Sequence, residues 1–356
     1  MGVAAERVKV ALRVEARGVG LRAALVACAF LLVALAVGLV VGPANIGLGA
    51  ILRSAFSYVP GLHVHQPLGG TDHDIVWQLR APRVVLAALV GGMLAIAGAS
   101  YQGVFRNPLA DPYLLGVAGG AGLGATLAIV YSAAAAGGRW SVPLAAFGGA
   151  IAAVMLTYVL GRSAGAARTT GALVLAGVTV ATFTAAVQTF VQQRHTDVLQ
   201  NVYSWLLGGF SSSTWSDVAI CAPYIAASSL VLILHRRILD VLSLGDDEAA
   251  SLGVDVARAR LIIVVAATLG TAAAVSVSGL IAFVGIIVPH TVRLLVSTSY
   301  RAVIPLSLVV GAGFLVLTDV LARTVLSPSE LPIGVVTAFF GAPFFAVVLR
   351  TSRSMR

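Results

Sequence analysis

Ten apolar runs, each near the length of a membrane-crossing helix, leave this 356-residue chain few folds to choose from. They fall at roughly 23–42, 84–105, 114–132, 143–161, 172–193, 218–235, 259–277, 280–296, 302–322 and 333–349. At 1.5 Å per residue, about 20 residues cover the ~30 Å hydrocarbon core of a bilayer. Because lipid offers no hydrogen bonds, such runs must satisfy their own backbone, which makes them helices and the fold all-α and polytopic. Composition agrees: 59% of residues are hydrophobic, 10% are charged and the mean hydropathy is +0.98, far from soluble averages. No polar stretch is long enough for a soluble domain, so residues 1–356 are expected to form one membrane domain.

Charge placement sets an orientation. Arg7, Lys9, Arg13, Arg17 and Arg22 precede an apolar stretch, Ala23 to Val41, that is long enough to span and is read as a first helix rather than a secretory signal. If segment 1–22 is cytoplasmic, the same side also receives Arg106, Arg162, Arg168, Arg236, Arg237, Arg258, Arg260, Arg293, Arg301, Arg350, Arg353 and Arg356, or 17 of 23 basic residues. The positive-inside rule therefore predicts cytoplasmic termini. The net charge of +9 is scattered between apolar runs rather than gathered on one face, which excludes a nucleic-acid platform. Cys28 and Cys221 lie inside apolar runs without metal-ligand spacing and are read as packing residues.

Several segments carry local information. Asn45 to Tyr58 and Asn201 to Phe210 read as helices that do not span, the second leading into a Ser/Thr-rich turn at 211–215. Gly116, Gly120 and Gly124 recur every four residues, which lets another helix approach closely. The enclosed Gly120-Ala-Gly-Leu-Gly124 is no dinucleotide fingerprint, since no strand precedes it. Pro143, Pro223, Pro289, Pro305 and Pro343 mark kinks or breaks, which suit a transporter better than an anchor.

Between the sixth and seventh runs, Asp240 to Val256 forms a polar island that predicts a short helix. Ser243 is placed as its N-cap, Asp246, Asp247 and Glu248 crowd the first turn, and Gly253 can close it. A helix this short is marginal alone, and Ala249, Ala250 and Leu252 give it little area to pack. It is either a solvated connector or an element resting on a partner protein.

No hydrolytic or redox constellation is present. The single lysine, Lys9, follows no Gly-rich loop, so any nucleotide energy must come from another chain. Only Asp319 approaches the interior of a run, which weakens ion coupling through buried carboxylates. His63, His65 and His73, near Asp72 and Asp74, have no spacing that fixes a metal geometry, so no metal site is expected. At the opposite face, Arg80-Ala-Pro-Arg83 opens the second run, with Pro82 at a first helical position, and Arg323 ends the ninth four residues after Asp319. These exposed guanidiniums either snorkel to headgroups or receive carboxylates from a docking partner.

From Trp77 to Leu349 the chain resembles the permease subunits of type II ABC importers, the family that carries ferric siderophores, haem and cobalamin. The resemblance rests on Arg80-Ala-Pro-Arg83, Gln102-Gly-Val-Phe-Arg-Asn-Pro-Leu-Ala-Asp-Pro112 with Gly116, Trp205-Leu-Leu-Gly208 and Ser251-Leu-Gly-Val254. It continues through Ser278-Gly279, Phe283-Val-Gly285, Val288-Pro-His290 with Arg293, Glu330-Leu-Pro-Ile-Gly334 and Gly341-Ala-Pro-Phe344. It departs at Ala81, where leucine is usual, at Ala118-Gly119 in place of Ser-Ser, and in the polar, His-rich loop 59–76.

The resemblance implies about ten spans per subunit, a bacterial inner-membrane homodimer, two cytoplasmic ATPases that bind ATP and Mg, and a periplasmic binding protein. It implies that Leu244, Gly245, Asp246, Asp247, Glu248, Ala249, Ala250, Leu252, Gly253 and Val254 form a coupling helix against the ATPase, and that Arg80, Arg83 and Arg323 receive the binding protein. Thr182, Thr184, Gln188, Gln192 and Gln193 of the fifth run are the guessed pathway wall, although such residues also bond packed helices. The chain is thus read as a permease without chemistry of its own, importing an iron chelate, with haem slightly preferred and cobalamin as runner-up. A secondary transporter is the reading from a different class.

Overall fold

A computed structural model describes residues 18–58, 68–132, 138–163 and 170–353, and every regular element among them is helical. In chain order these are α1 (Leu21–Val40), α2 (Leu48–Phe56), α3 (Gly70–Asp74), a π-helical turn (Ile75–Arg80), α4 (Ala81–Phe105), α5 (Val117–Ser132), α6 (Ser141–Ser163) and α7 (Thr170–Arg194). They continue with α8 (Leu199–Leu206), α9 (Trp215–Leu234), α10 (Arg236–Leu242), α11 (Asp246–Ser251), α12 (Val256–Ser278), α13 (Val284–Leu295), α14 (Tyr300–Thr324) and α15 (Ile333–Arg353). Each of the ten apolar runs coincides with a helix. Seven of these are long and apolar enough to cross a membrane, and the apolar parts of α5, α13 and α15 are shorter.

A helix that is apolar all round belongs inside a bundle. That is the position of α4, which is buried over most of its length and packed by α9, α12, α13 and α14. Glycines set its closest approaches: a Cβ on Gly91 would strike the carbonyl of Gly311 in α14, and one on Gly98 that of Gly285 in α13. The peripheral α1 buries only Ala27, Ala34 and Gly38 and exposes Leu25, Val26, Leu32 and Val33, as a lipid-facing helix should. A second cluster joins α5 and α6 to α12 through Val117, Ala121, Ala125, Ala146, Ala150, Ala272 and Val275. The expected glycine stripe serves this contact, with Gly120 against Gly149 and Gly124 against Ala145. Gly116 stands just outside α5, in the preceding turn with φ +85°.

Two sequence expectations need correction. Arg80-Ala-Pro-Arg83 does not open a helix, because the chain is already helical from Gly70. The Ala81 amide reaches five residues back to the Val76 carbonyl, and this wider turn accommodates Pro82, which has no N–H and would crowd a regular turn. The helix expected over 280–296 begins only at Val284: Gly279 and Phe283 take positive φ, and α13 covers 12 residues, about 18 Å. The break is satisfied from within. Tyr113 Oη donates to the Ile281 carbonyl and accepts from its amide, both at 3.0 Å, while the Ser278 carbonyl accepts from Gly209. Leu280-Ile-Ala-Phe283 is apolar, so hydropathy cannot reveal it.

Candidate functional site

The polar island folds as three pieces, the end of α10, the short α11 and the start of α12. The helix α10 ends at Leu242, and Ser243 Oγ donates back to the Asp240 carbonyl at 2.6 Å. Ser243 is therefore not the N-cap of α11; Gly245 is, at φ 144°, a conformation L side chains rarely adopt. Gly253, at φ 83°, closes α11 by donating to the Ala250 carbonyl while Val254 donates to that of Ala249, the double bond of a Schellman end. Asp255 then caps α12 by accepting the Arg258 amide at 3.0 Å.

This element has more internal support than its sequence suggests. Asp246 accepts from Arg106 Nη2 at 3.0 Å and from Arg260 Nη2 at 2.9 and 3.1 Å, which ties α11 to the end of α4 and the first turns of α12. Ala249 is fully buried and Val254 packs on the main core. The outward side carries Leu244 and Leu252, 62% and 63% exposed, with Asp247, Glu248, Ala250 and Gly253. The little packing area expected of Ala249, Ala250 and Leu252 is thus corrected at the inner face, where Ala249 is fully buried, while Ala250 and Leu252 are exposed on the outer one.

Behind α11 lies a polar layer that joins the helix ends. Asp240 accepts the Tyr300 amide at 2.6 Å and the Ser299 hydroxyl at 2.9 Å, linking α10 to α14. Gln102 Nε2 donates to the Gly285 carbonyl at 3.0 Å, and its Oε1 accepts from Arg293 Nη1 at 2.6 Å. The Arg293 guanidinium lies over the Tyr300 ring, 5.5 Å from its centre. In the turn before α5, Asp111 accepts the Tyr113 amide at 2.8 Å, and burial pushes its carboxyl up to about 6. Motif residues far apart in sequence therefore meet in one framework connecting α11 to α4, α12, α13 and α14.

At the other end of the bundle, the arginines expected to be exposed are not. Arg80 is 5% exposed; its Nη1 donates to the Leu39 and Val40 carbonyls at 2.9 Å and its Nη2 to that of Ala44 at 2.7 Å. Arg323 is buried too and donates to the Gly38 carbonyl. The last carbonyls of α1 have no helical partners and carry the negative end of its dipole, and these guanidiniums supply what they lack. Arg83 is held between two carboxylates, with Nε to both Asp319 oxygens at 3.0 Å, Nη1 to Glu330 Oε1 at 2.8 Å and Nη2 to Glu330 Oε2 at 2.9 Å. Asp319 pairs chiefly with Arg83, with Arg323 Nε farther away at 3.8 Å. Glu330, which the sequence reading assigned no role, closes this cluster.

The guessed pathway residues divide between two faces of α7. Thr184 is buried and donates to the Val180 carbonyl beside Gly119, and Gln188 is half-buried beside Gly122, so both pack against α5. Thr182 and Gln193 are exposed and Gln192 is half-buried. Thr182 donates to the Val178 carbonyl, four residues back. His63 and His65 lie outside the described residues. His73 bonds Tyr58, and among the described residues no group of three or more His, Cys, Asp or Glu side chains could hold a metal ion.

The chain is 38% identical over 346 residues to the uncharacterized ABC transporter permease protein YvrB of Bacillus subtilis strain 168, across 95% of this chain and 96% of that one. It is 42% identical over 280 residues to the cobalamin import system permease protein BtuC of Halobacterium salinarum, across 79% of this chain and 74% of that one. A solved metal-chelate type ABC transporter in an inward-facing conformation superposes with a TM-score of 0.79 at 27% identity, over 91% of this chain and 97% of that one. Residues 30–351 match the profile of the FecCD transport family. With α11, its framework and the broken α12–α13 junction in place, this chain belongs to the FecCD transport family, the membrane permeases of ABC importers.

Proposed function

We propose that two copies of this chain form the membrane path of an importer in the bacterial inner membrane, with both termini and α11 in the cytoplasm. Two partner ATPases bind ATP and Mg, and a periplasmic binding protein delivers cargo to the Arg83–Glu330 face. In this reading α5 and α13, at 16 and 12 residues, complete their crossings with help from the chain on either side of them. One observation carries the reading: α11 and its flanking turns present Leu244, Asp247, Glu248 and Leu252 outward while Asp246 fastens the helix to α4 and α12. A partner that closes on the outer side of such an element moves the ends of two core helices. The buried Arg80 and Arg323 hold α1 in place, and any direct carboxylate docking falls to Arg83.

The cargo is proposed to be a metal chelate, an iron chelate such as haem or a ferric siderophore. Cobalamin is a second reading, favoured by the similarity to the Halobacterium permease. Proteoliposomes holding this chain with its partner ATPase should import cargo only with the binding protein and ATP. Uptake driven by an ion gradient alone would overturn the proposal. Binding of haem, a ferric siderophore and cyanocobalamin to the cognate binding protein would identify the cargo.

A further inference from the structure

A cavity of about 460 Å3 opens at the α11 end of the bundle, between α6, α7 and α12. Leu115, Val154, Leu173, Leu261 and Val264 give it apolar walls. Arg162, Arg258 and Arg260 also line it, against a single acidic residue, Asp255. That carboxylate already accepts the Arg258 amide as the cap of α12. Arg162 and Arg258 are exposed, and among the described residues no carboxylate forms an ion pair with either. The Arg162 guanidinium is held over the Tyr158 ring, 5.6 Å from its centre. Arg260 is committed to Asp246 through Nη2, while its Nε is buried without a hydrogen-bond partner.

Apolar walls with a cationic mouth at a membrane boundary match one kind of occupant. A soluble anion gains nothing from the walls, and a zwitterionic lipid brings its own cation to its phosphate. An anionic lipid uses both features. We propose that this cavity holds one anionic phospholipid of the cytoplasmic leaflet, its phosphate on Arg162 and Arg258 and an acyl chain along Leu173, Leu261 and Val264. The leaflet rests on the orientation proposed above; the site itself does not. Because the cavity reaches Arg260, which holds Asp246, the lipid supports the base of α11.

The test uses the full chain in detergent micelles, titrated with phosphatidylglycerol or phosphatidylcholine and read by native mass spectrometry. Phosphatidylglycerol should be retained at one per chain and bind at least about tenfold more tightly than phosphatidylcholine. R162Q/R258Q should lose that preference, R162K/R258K should keep it, and R237Q/R350Q, which removes two other exposed arginines, should leave it intact. Equal binding of the two lipids, equal loss in R237Q/R350Q, or displacement by millimolar inorganic phosphate would each overturn the lipid site. Orientation is read separately by thiol labelling of D247C in inside-out and right-side-out vesicles, with Cys28 and Cys221 replaced. Labelling from the outer side fails the orientation alone, and absence of any lipid preference in the unaltered chain in micelles, which have no leaflets, fails the site alone.

Discussion

Arg83 shows how far a charged residue's meaning depends on neighbours remote in sequence. Its guanidinium bridges Asp319, 1% exposed, and Glu330, 39% exposed. Removing it should cost much more than removing Glu330, because Asp319 would remain buried opposite only the more distant Arg323. We expect R83Q to lose about 3–5 kcal/mol, the usual penalty for breaking a buried pair. E330Q should lose less than ~1 kcal/mol, as exposed pairs do. Thermal unfolding in micelles checks both, and equal losses would mean that the cluster is not organised around Asp319. E330Q should also tighten binding-protein association if Arg83 is the receiving group, since it frees part of the guanidinium; weaker association would make Glu330 the contact. The sequence singled out Arg80, Arg83 and Arg323 but misjudged their exposure. Their positions at run ends were visible, whereas the unpaired carbonyls of Gly38, Leu39 and Val40 that surround two of them arise only when α1 packs beside α4 and α14.

At the scale of elements, α11 separates two acidic residues that look alike in sequence. Asp246 turns inward to Arg106 and Arg260, and Asp247 turns to solvent. D246N should loosen α11, costing about 1 kcal/mol from partly exposed ion pairs, and lower the transport obtained per ATP hydrolysed while leaving ATPase association nearly unchanged. D247K should act the other way, weakening ATPase association without changing unfolding. Co-purification with the ATPase and the ratio of uptake to hydrolysis distinguish the two, and identical behaviour of both variants would sink the division of roles. The helix was legible because three acidic residues and a closing glycine stand in a polar gap. Its inner anchors were not: Arg106 is 140 positions away, and Arg260, 14 positions on, reaches Asp246 only once the chain folds back between α11 and α12. The broken segment before α13 escaped for a different reason: hydropathy measures apolarity, and Leu280 to Phe283 is apolar but non-helical.

For the whole molecule, the proposed dimer requires the outer surface of one chain to be divided between lipid and a second copy. α1 exposes an unbroken apolar side at Leu25, Val26, Leu32 and Val33, whereas the exposed side of α7 interleaves Val178, Phe183 and Phe190 with Thr182, Thr189 and Gln193. The two threonine hydroxyls donate to carbonyls four residues back, so they could rest against lipid; Gln193 is exposed with a longer, more polar amide at the end of its helix. If α7 faces a path between two copies, water reaches its polar positions. In a background lacking Cys28 and Cys221, T182C and Q193C should react with a water-soluble maleimide in membranes, and V33C should not. A bifunctional thiol reagent should also join two copies at T182C. If T182C is as inert as V33C and no joined pair forms, α7 is a lipid-facing helix, and the path must be sought along α13 and α15, beside the interior break.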